Sequence, residues 1–196
     1  MVTISDPDAE LVLKAKQNDK AAFGKLVTHY YEMVYALSYG VLNQREAALD
    51  VTQEVFLKVY RVIGTFEGKS KFKTWLHRIA VNAAIDEARK RKPVESLDVR
   101  EDEEDSNRAP VVIPDLSADP RGRAEQAEYR ELLDRAMSRL SAEHKAILVM
   151  REWQGFSYEE IAQTLDLELG TVMSRIFYAR KKLAEALGQD FRKEVT

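Results

Sequence analysis

Four of the five prolines in the chain lie between Lys92 and Arg121, and on either side of that interval apolar residues recur every three or four positions. Proline fixes φ and lacks a backbone donor, so a sustained helix cannot run through such a stretch. The same interval carries seven acidic residues between Glu95 and Asp105 against Arg100 alone, and like charges resist compaction. These features predict an all-α protein with two small helical domains, 1–92 and 121–196, joined by an acidic, Pro-containing flexible linker over 93–120. Only 8 glycines are available for tight turns, which argues against an all-β fold.

In the first domain the spacing predicts a short helix over Asp8–Gln17. A second begins near Ala22, with Phe23, Leu26, Val27, Tyr30, Tyr31, Val34, Leu37 and Val41 on one side. A third runs from about Arg45, where Leu49, Phe56 and Ile63 are seven apart and Val51, Val55, Val59 and Val62 lie beside them. Gly64 and Gly68 mark a loop, and a fourth helix over 71–92 faces the core with Phe72, Trp75, Leu76, Ile79, Ala80 and Ala83. The second domain reads as helices over 122–139, 141–153, 157–166 and 171–187. Ser157-Tyr158-Glu159-Glu160 fits a capping box at the start of the third of these. Its apolar face (Ile161, Ala162, Leu165) is followed by a short break and a basic helix with Val172, Ile176, Ala179 and Leu183 inward. Two short helices joined by a tight turn, the second basic, describe a helix-turn-helix.

Enzymatic classes find little support. There is no cysteine, which removes disulfides, thiol catalysis and Cys-based zinc sites and fits a reducing cytoplasm. No phosphate-binding glycine loop and no HExxH zinc motif occur. His29, His77 and His144 lie far apart, in contexts expected to be a packed helix, a helix face and a helix start. No catalytic residue, cofactor or metal is expected. The N-terminus lacks a basic segment followed by an apolar core, and no apolar run approaches the ~18 residues that span a bilayer. A cytoplasmic, non-membrane protein is expected.

The formal net charge of −3 would argue against a nucleic-acid partner, but the distribution of that charge points the other way. Lys69–Lys92 holds eight basic residues against Asp86 and Glu87, interleaved with Phe72 and Trp75. Thr171–Lys193 holds six against Glu185 and Asp190. Basic elements on two domains suit a protein that grips two separated pieces of nucleic acid. In the helix-turn-helix, Arg175 can donate two hydrogen bonds to a guanine edge, and Arg180, Lys181 and Lys182 can meet phosphates.

Three segments, DVTQEVFLKVYR (Asp50–Arg61), KSKFKTWLHRIAVNAAID (Lys69–Asp86) and SYEEIAQTLDLELGTVMSRIFYARKKL (Ser157–Leu183), together resemble the extracytoplasmic-function class of bacterial sigma factors of the sigma-70 superfamily. The resemblance spans nearly the whole chain and keeps the family's order. It implies an alternative sigma factor that binds core RNA polymerase and directs promoter-specific initiation. Asp50, Gln53 and Glu54, with Leu57 and Lys58 on the same helix, match the face that docks on the clamp helices of polymerase. Phe66, Lys69, Lys71, Phe72, Lys73, Arg78 and Asn82 match the residues that bind and melt the −10 element, Asn82 at the point of strand separation. Thr171, Ser174, Arg175, Phe177, Tyr178, Arg180 and Lys181 match the helix that reads the −35 element. The acidic linker would thread the polymerase's nucleic-acid channels.

Two departures stand out. Trp75-Leu76 replaces the paired Trp of housekeeping sigma factors, and Met173 and Tyr178 occupy positions where some relatives carry Arg. The expected partners are promoter DNA, core polymerase (clamp helices and flap) and an anti-sigma factor, with no membrane insertion and no obligate homo-oligomer. The alternative is a stand-alone helix-turn-helix regulator, which would usually need a dimerisation or sensing domain that 1–92 does not show. A recombinase-like enzyme would need an α/β domain, and a bare interaction module would tolerate neutralisation of Arg175 and Arg180.

Overall fold

A computed structural model of the protein describes residues 6–91 and 123–194, with side chains described for 129–189 of the second stretch. The linker expected over 93–120 lies outside the described residues. All described elements are helical: α1 (Ala9–Lys16), α2 (Lys20–Leu42), α3 (Arg45–Val62), α4 (Phe72–Arg91), α5 (Arg123–Ser138), α6 (Ala142–Leu148), α7 (Tyr158–Leu165) and α8 (Leu169–Glu194).

Local chemistry sets the ends of α2. The Asp19 carboxylate accepts from the amides of Ala21 (2.8 Å) and Ala22 (3.0 Å), satisfying donors the first turn leaves unpaired. Asn43 closes the helix in the left-handed region at φ 52°, a conformation Asn tolerates better than most residues. Between these caps Leu26, Tyr30, Val34, Leu37 and Val41 are buried. Against them lie Val51, Val55 and Val59 of α3 and Phe72, Leu76, Ala80 and Ala84 of α4. The small side chains of α4 let three helices approach closely around one core.

In the second region the expected capping box is present. Ser157 Oγ accepts from the Glu160 amide (3.1 Å) while Glu160 Oε2 accepts from the Ser157 amide (2.9 Å). Helix α7 ends at Asp166 with φ 57°, and α8 starts three residues later. Val172, Ile176, Ala179 and Leu183 of α8 are buried with Ile161 of α7 and Ile147 and Leu148 of α6. Two details differ from expectation. The helix expected over 141–153 is α-helical only to Leu148 and continues as a π-type turn, Val149–Trp153. Helix α8 begins at Leu169 and runs to Glu194 through Gly188, whose weak helix propensity does not break it.

The two apolar cores are continuous. Val149 stands against α2 at Gly40, where a Cβ would come 2.5 Å from its Cγ2, so only glycine allows this approach. Asn43 donates to the Asp134 carbonyl (2.9 Å), and Arg89 donates through Nε to Glu143 (3.0 Å). The helix-face position expected for His77 is instead fully buried between the regions. His29, expected on a packed helix, is exposed.

Candidate nucleic-acid and polymerase interfaces

Helix α3 divides sharply. Ala47, Ala48, Val51, Thr52, Val55, Phe56 and Val59 face the core, which leaves Asp50, Gln53, Glu54, Leu57 and Lys58 exposed on the opposite side. Leu57 is 57% exposed, with Tyr60 (40%) beside it. Leu57 and Tyr60 thus form a small apolar patch among polar neighbours on the outward face of α3.

The loop between α3 and α4 rests on an aromatic cluster. Phe66 and Phe72 are buried at 5.8 Å between ring centres, and the half-buried Trp75 lies 5.3 Å from Phe66 and 5.8 Å from Phe72. Phe66 and Phe72 therefore support the loop from inside. Lys69, Lys71, Lys73, Arg78 and Asn82 are exposed around it. Sequence reasoning missed what holds this loop. Asp6 Oδ2 accepts from the Phe72 amide (2.6 Å) at the start of α4, and Lys16 donates to the Phe66 carbonyl (2.8 Å). One N-terminal segment thus brackets both ends of the loop. Tyr30 donates to Asp8 underneath; burial and the neighbouring carboxylate push its phenol above the ordinary range. The only signal in the sequence was Asp-Pro-Asp ahead of the first helix.

On α8, Phe177 and Lys181 are exposed, and Thr171, Ser174, Arg175, Tyr178 and Arg180 are half-buried. Arg180 donates through Nε to Glu152 (2.9 Å), and the Ser174 hydroxyl donates to the Thr171 carbonyl (3.1 Å). Arg175 turns toward the first region. With Lys58, Asn82, Asp86, Arg89 and Glu143 it lines a cavity of about 380 Å³ between α4 and the second region. Residues expected to meet DNA at two separate elements are brought together here. Other basic residues of α4 face the same way: Lys73 lies 5.8 Å over the Phe156 ring, and Arg78 is 3.9 Å from Asp166.

At the centre of this contact is His77. Its Nδ1 is 2.9 Å from the Lys73 carbonyl, its Nε2 is 3.0 Å from Gln154 Oε1, and the Phe156 ring packs edge-on at 4.4 Å. Gln154 in turn donates to the Met33 carbonyl (3.3 Å). Oxygens at both ring nitrogens favour the imidazolium, but burial outweighs them and pushes the pKa down to about 4. Among the described residues no cluster of His, Asp and Glu is placed to hold a metal ion, and no helix is long and apolar enough to cross a membrane.

Comparison with known proteins places both helical regions in one family. Residues 26–94 match the family model Sigma-70 region 2, and residues 130–183 match Sigma-70, region 4. The chain is 35% identical over 184 residues to the RNA polymerase sigma-H factor of Pseudomonas aeruginosa, covering 93% of this chain and 94% of that one. It is 36% identical over 178 residues to the ECF RNA polymerase sigma-E factor of Escherichia coli K12, covering 90% and 92%. Among solved structures, CnrH in complex with the cytosolic domain of CnrY superposes with a TM-score of 0.66 at 24% identity, over 94% of this chain and 99% of that one. The sigma factor RpoE bound to the anti-sigma factor NepR, from Bartonella quintana, gives 0.59 at 24% identity, over 85% and 96%. The chain belongs to the extracytoplasmic-function class of the sigma-70 family and is an alternative sigma factor.

Proposed function

We propose that this sigma factor engages core RNA polymerase through the outward face of α3, with Asp50, Gln53, Glu54, Leu57 and Lys58 as the contact set. The observation that carries the assignment is the split along α3, where the five residues are exposed together while the intervening positions are buried. Residues 1–92 form the polymerase- and −10-binding domain, and 121–196 the −35-binding domain. Lys69, Lys71, Lys73 and Arg78 meet phosphates near the −10 element, and Asn82 contacts the strands where they part. Phe66 and Phe72 form the floor beneath a captured base. Thr171, Ser174, Arg175, Phe177, Tyr178, Arg180 and Lys181 serve the −35 element. Opening a few base pairs costs several kcal/mol, since stacking averages ~1.4 kcal/mol per step. Capture of an unstacked base offsets part of that cost without a nucleotide-hydrolysing site. The protein acts in the cytoplasm without catalysis of its own. An anti-sigma factor is a further partner, as the complexes of CnrH with CnrY and of RpoE with NepR suggest.

The test is promoter-directed transcription by purified bacterial core polymerase, with and without this protein, on a pool of genomic promoter fragments from its source. Specific transcripts that appear only with the protein, and fade with Leu57→Glu, are expected. Absence of both transcripts and core binding would leave a stand-alone DNA-binding regulator instead.

A further inference from the structure

Several of the polar residues of α8 that could read bases are engaged within the fold. Arg180 is held by Glu152, Ser174 by the Thr171 carbonyl, and Arg175 lines the cavity shared with Asn82. Between Leu169 and Ala179 the exposed residues of α8 are all apolar: Leu169, Gly170, Met173 and Phe177. Met173 is 49% exposed, with Leu169 (38%) one turn before it and Phe177 (40%) one turn after. Residues four apart share a helix face, so the three form one stripe that flanks the buried face of Val172, Ile176 and Ala179, roughly a quarter turn away from it.

The charge around that stripe identifies what it meets. From Leu169 to Leu183 the helix carries four basic residues and no carboxylate, which suits a polyanion. A recognition helix presents its N-terminal residues to base edges in the major groove, and Met173 is the fifth residue of α8. The one apolar group on those edges is the C5-methyl of thymine. Methionine's unbranched, polarizable side chain can follow such a contact as the helix settles in the groove.

We propose that Met173, with Phe177 beside it, packs against thymine methyl groups, so that thymine content selects the upstream promoter element this chain prefers. The proposal rests on the DNA-binding role of α8 given above and names the base chemistry it reads.

The experiment uses the full-length protein with purified bacterial core polymerase and promoter fragments randomised across the −35 element, with the transcribed templates sequenced. Thymine should be enriched at one or two positions. Met173→Ala should weaken that enrichment about fourfold, the value of burying one methyl group, whereas Met173→Leu should retain it. Replacing those thymines by deoxyuridine, which removes only the methyl, should weaken wild-type binding by a similar factor and leave Met173→Ala unaffected. Met173 is exposed, so neither substitution threatens folding. Ample transcripts without a thymine preference, or a preference that Met173→Ala leaves intact, would overturn this inference alone. Insensitivity to deoxyuridine combined with weaker polymerase association of Met173→Ala would also overturn it and assign the stripe to a protein contact. Absence of promoter-directed transcripts would overturn the DNA-binding role beneath it.

Discussion

A buried histidine that must stay neutral makes a contact sensitive to acid. His77 sits between the two helical regions with its pKa pushed from 6.5 to about 4 by burial, which the Lys73 carbonyl, Gln154 and Glu160 oppose and the Lys73 charge reinforces. A depressed pKa means that the stabilisation is complete above pH 6.5 and is lost as pH falls toward 4. By linkage the closed form should then lose about 3 kcal/mol relative to a form with His77 in water. Thermal unfolding followed from pH 7.5 to 4.5 should show a steeper decline for the wild type than for His77→Asn; parallel slopes would remove His77 from the account. Asp6 makes a second residue-scale prediction. Its carboxylate accepts from the first amide of α4, so Asp6→Ala should cost about 1 kcal/mol in urea unfolding, as other lost N-caps do. A midpoint unchanged within error would show that water replaces the carboxylate without cost.

At the scale of elements, the capping box of α7 and the glycine of α2 make contrasting tests. Ser157→Ala removes one partner of a reciprocal pair at the entry to the helix-turn-helix and should destabilise by about 1 kcal/mol. Gly40→Ala puts a methyl group into a stiff β-branched side chain, and overpacking of this kind costs about 1–3 kcal/mol. Its far-ultraviolet dichroism should stay helical while its thermal midpoint falls, and an unchanged midpoint would mean that α2 and the π-type turn slide apart freely. The contrast also shows what could be read beforehand. Ser-x-x-Glu is local chemistry, four residues that satisfy each other's donors, and it was legible at once. So were the extents of α2, α3 and α4, because an apolar stripe recurs within a single helix. Gly40 and His77 were not legible, since their partners Val149 and Gln154 lie on the far side of the linker and no periodicity connects them. The bracket formed by Asp6 and Lys16 escaped for the same reason, its targets being more than forty residues away in the chain. The outward residues of α3 were legible only through the resemblance carried by Asp50–Arg61, and the structure places them on the exposed side of the helix.

The molecule as a whole raises a question of reach. Elements centred near −35 and −10 are separated by about 25 base pairs, or roughly 85 Å of duplex at 3.4 Å per pair. Arg175 and Asn82, assigned to opposite ends of that span, border one cavity of about 380 Å³. The chain between Lys92 and Arg121 has 28 residues, enough to stretch to roughly 100 Å at most. The distance can therefore be bridged, provided that the contacts at His77, Gly40 and Arg89 are given up. Apparent affinity for a partner that accepts only the parted form scales with the fraction of molecules already parted. Gly40→Ala should therefore bind core polymerase more tightly than the wild type even as it melts sooner, measurable by titration of labelled protein; weaker or equal binding would count against it. On the expected outcome, the glycine at that crossing governs supply, setting how much of a standing stock of this protein is ready for work.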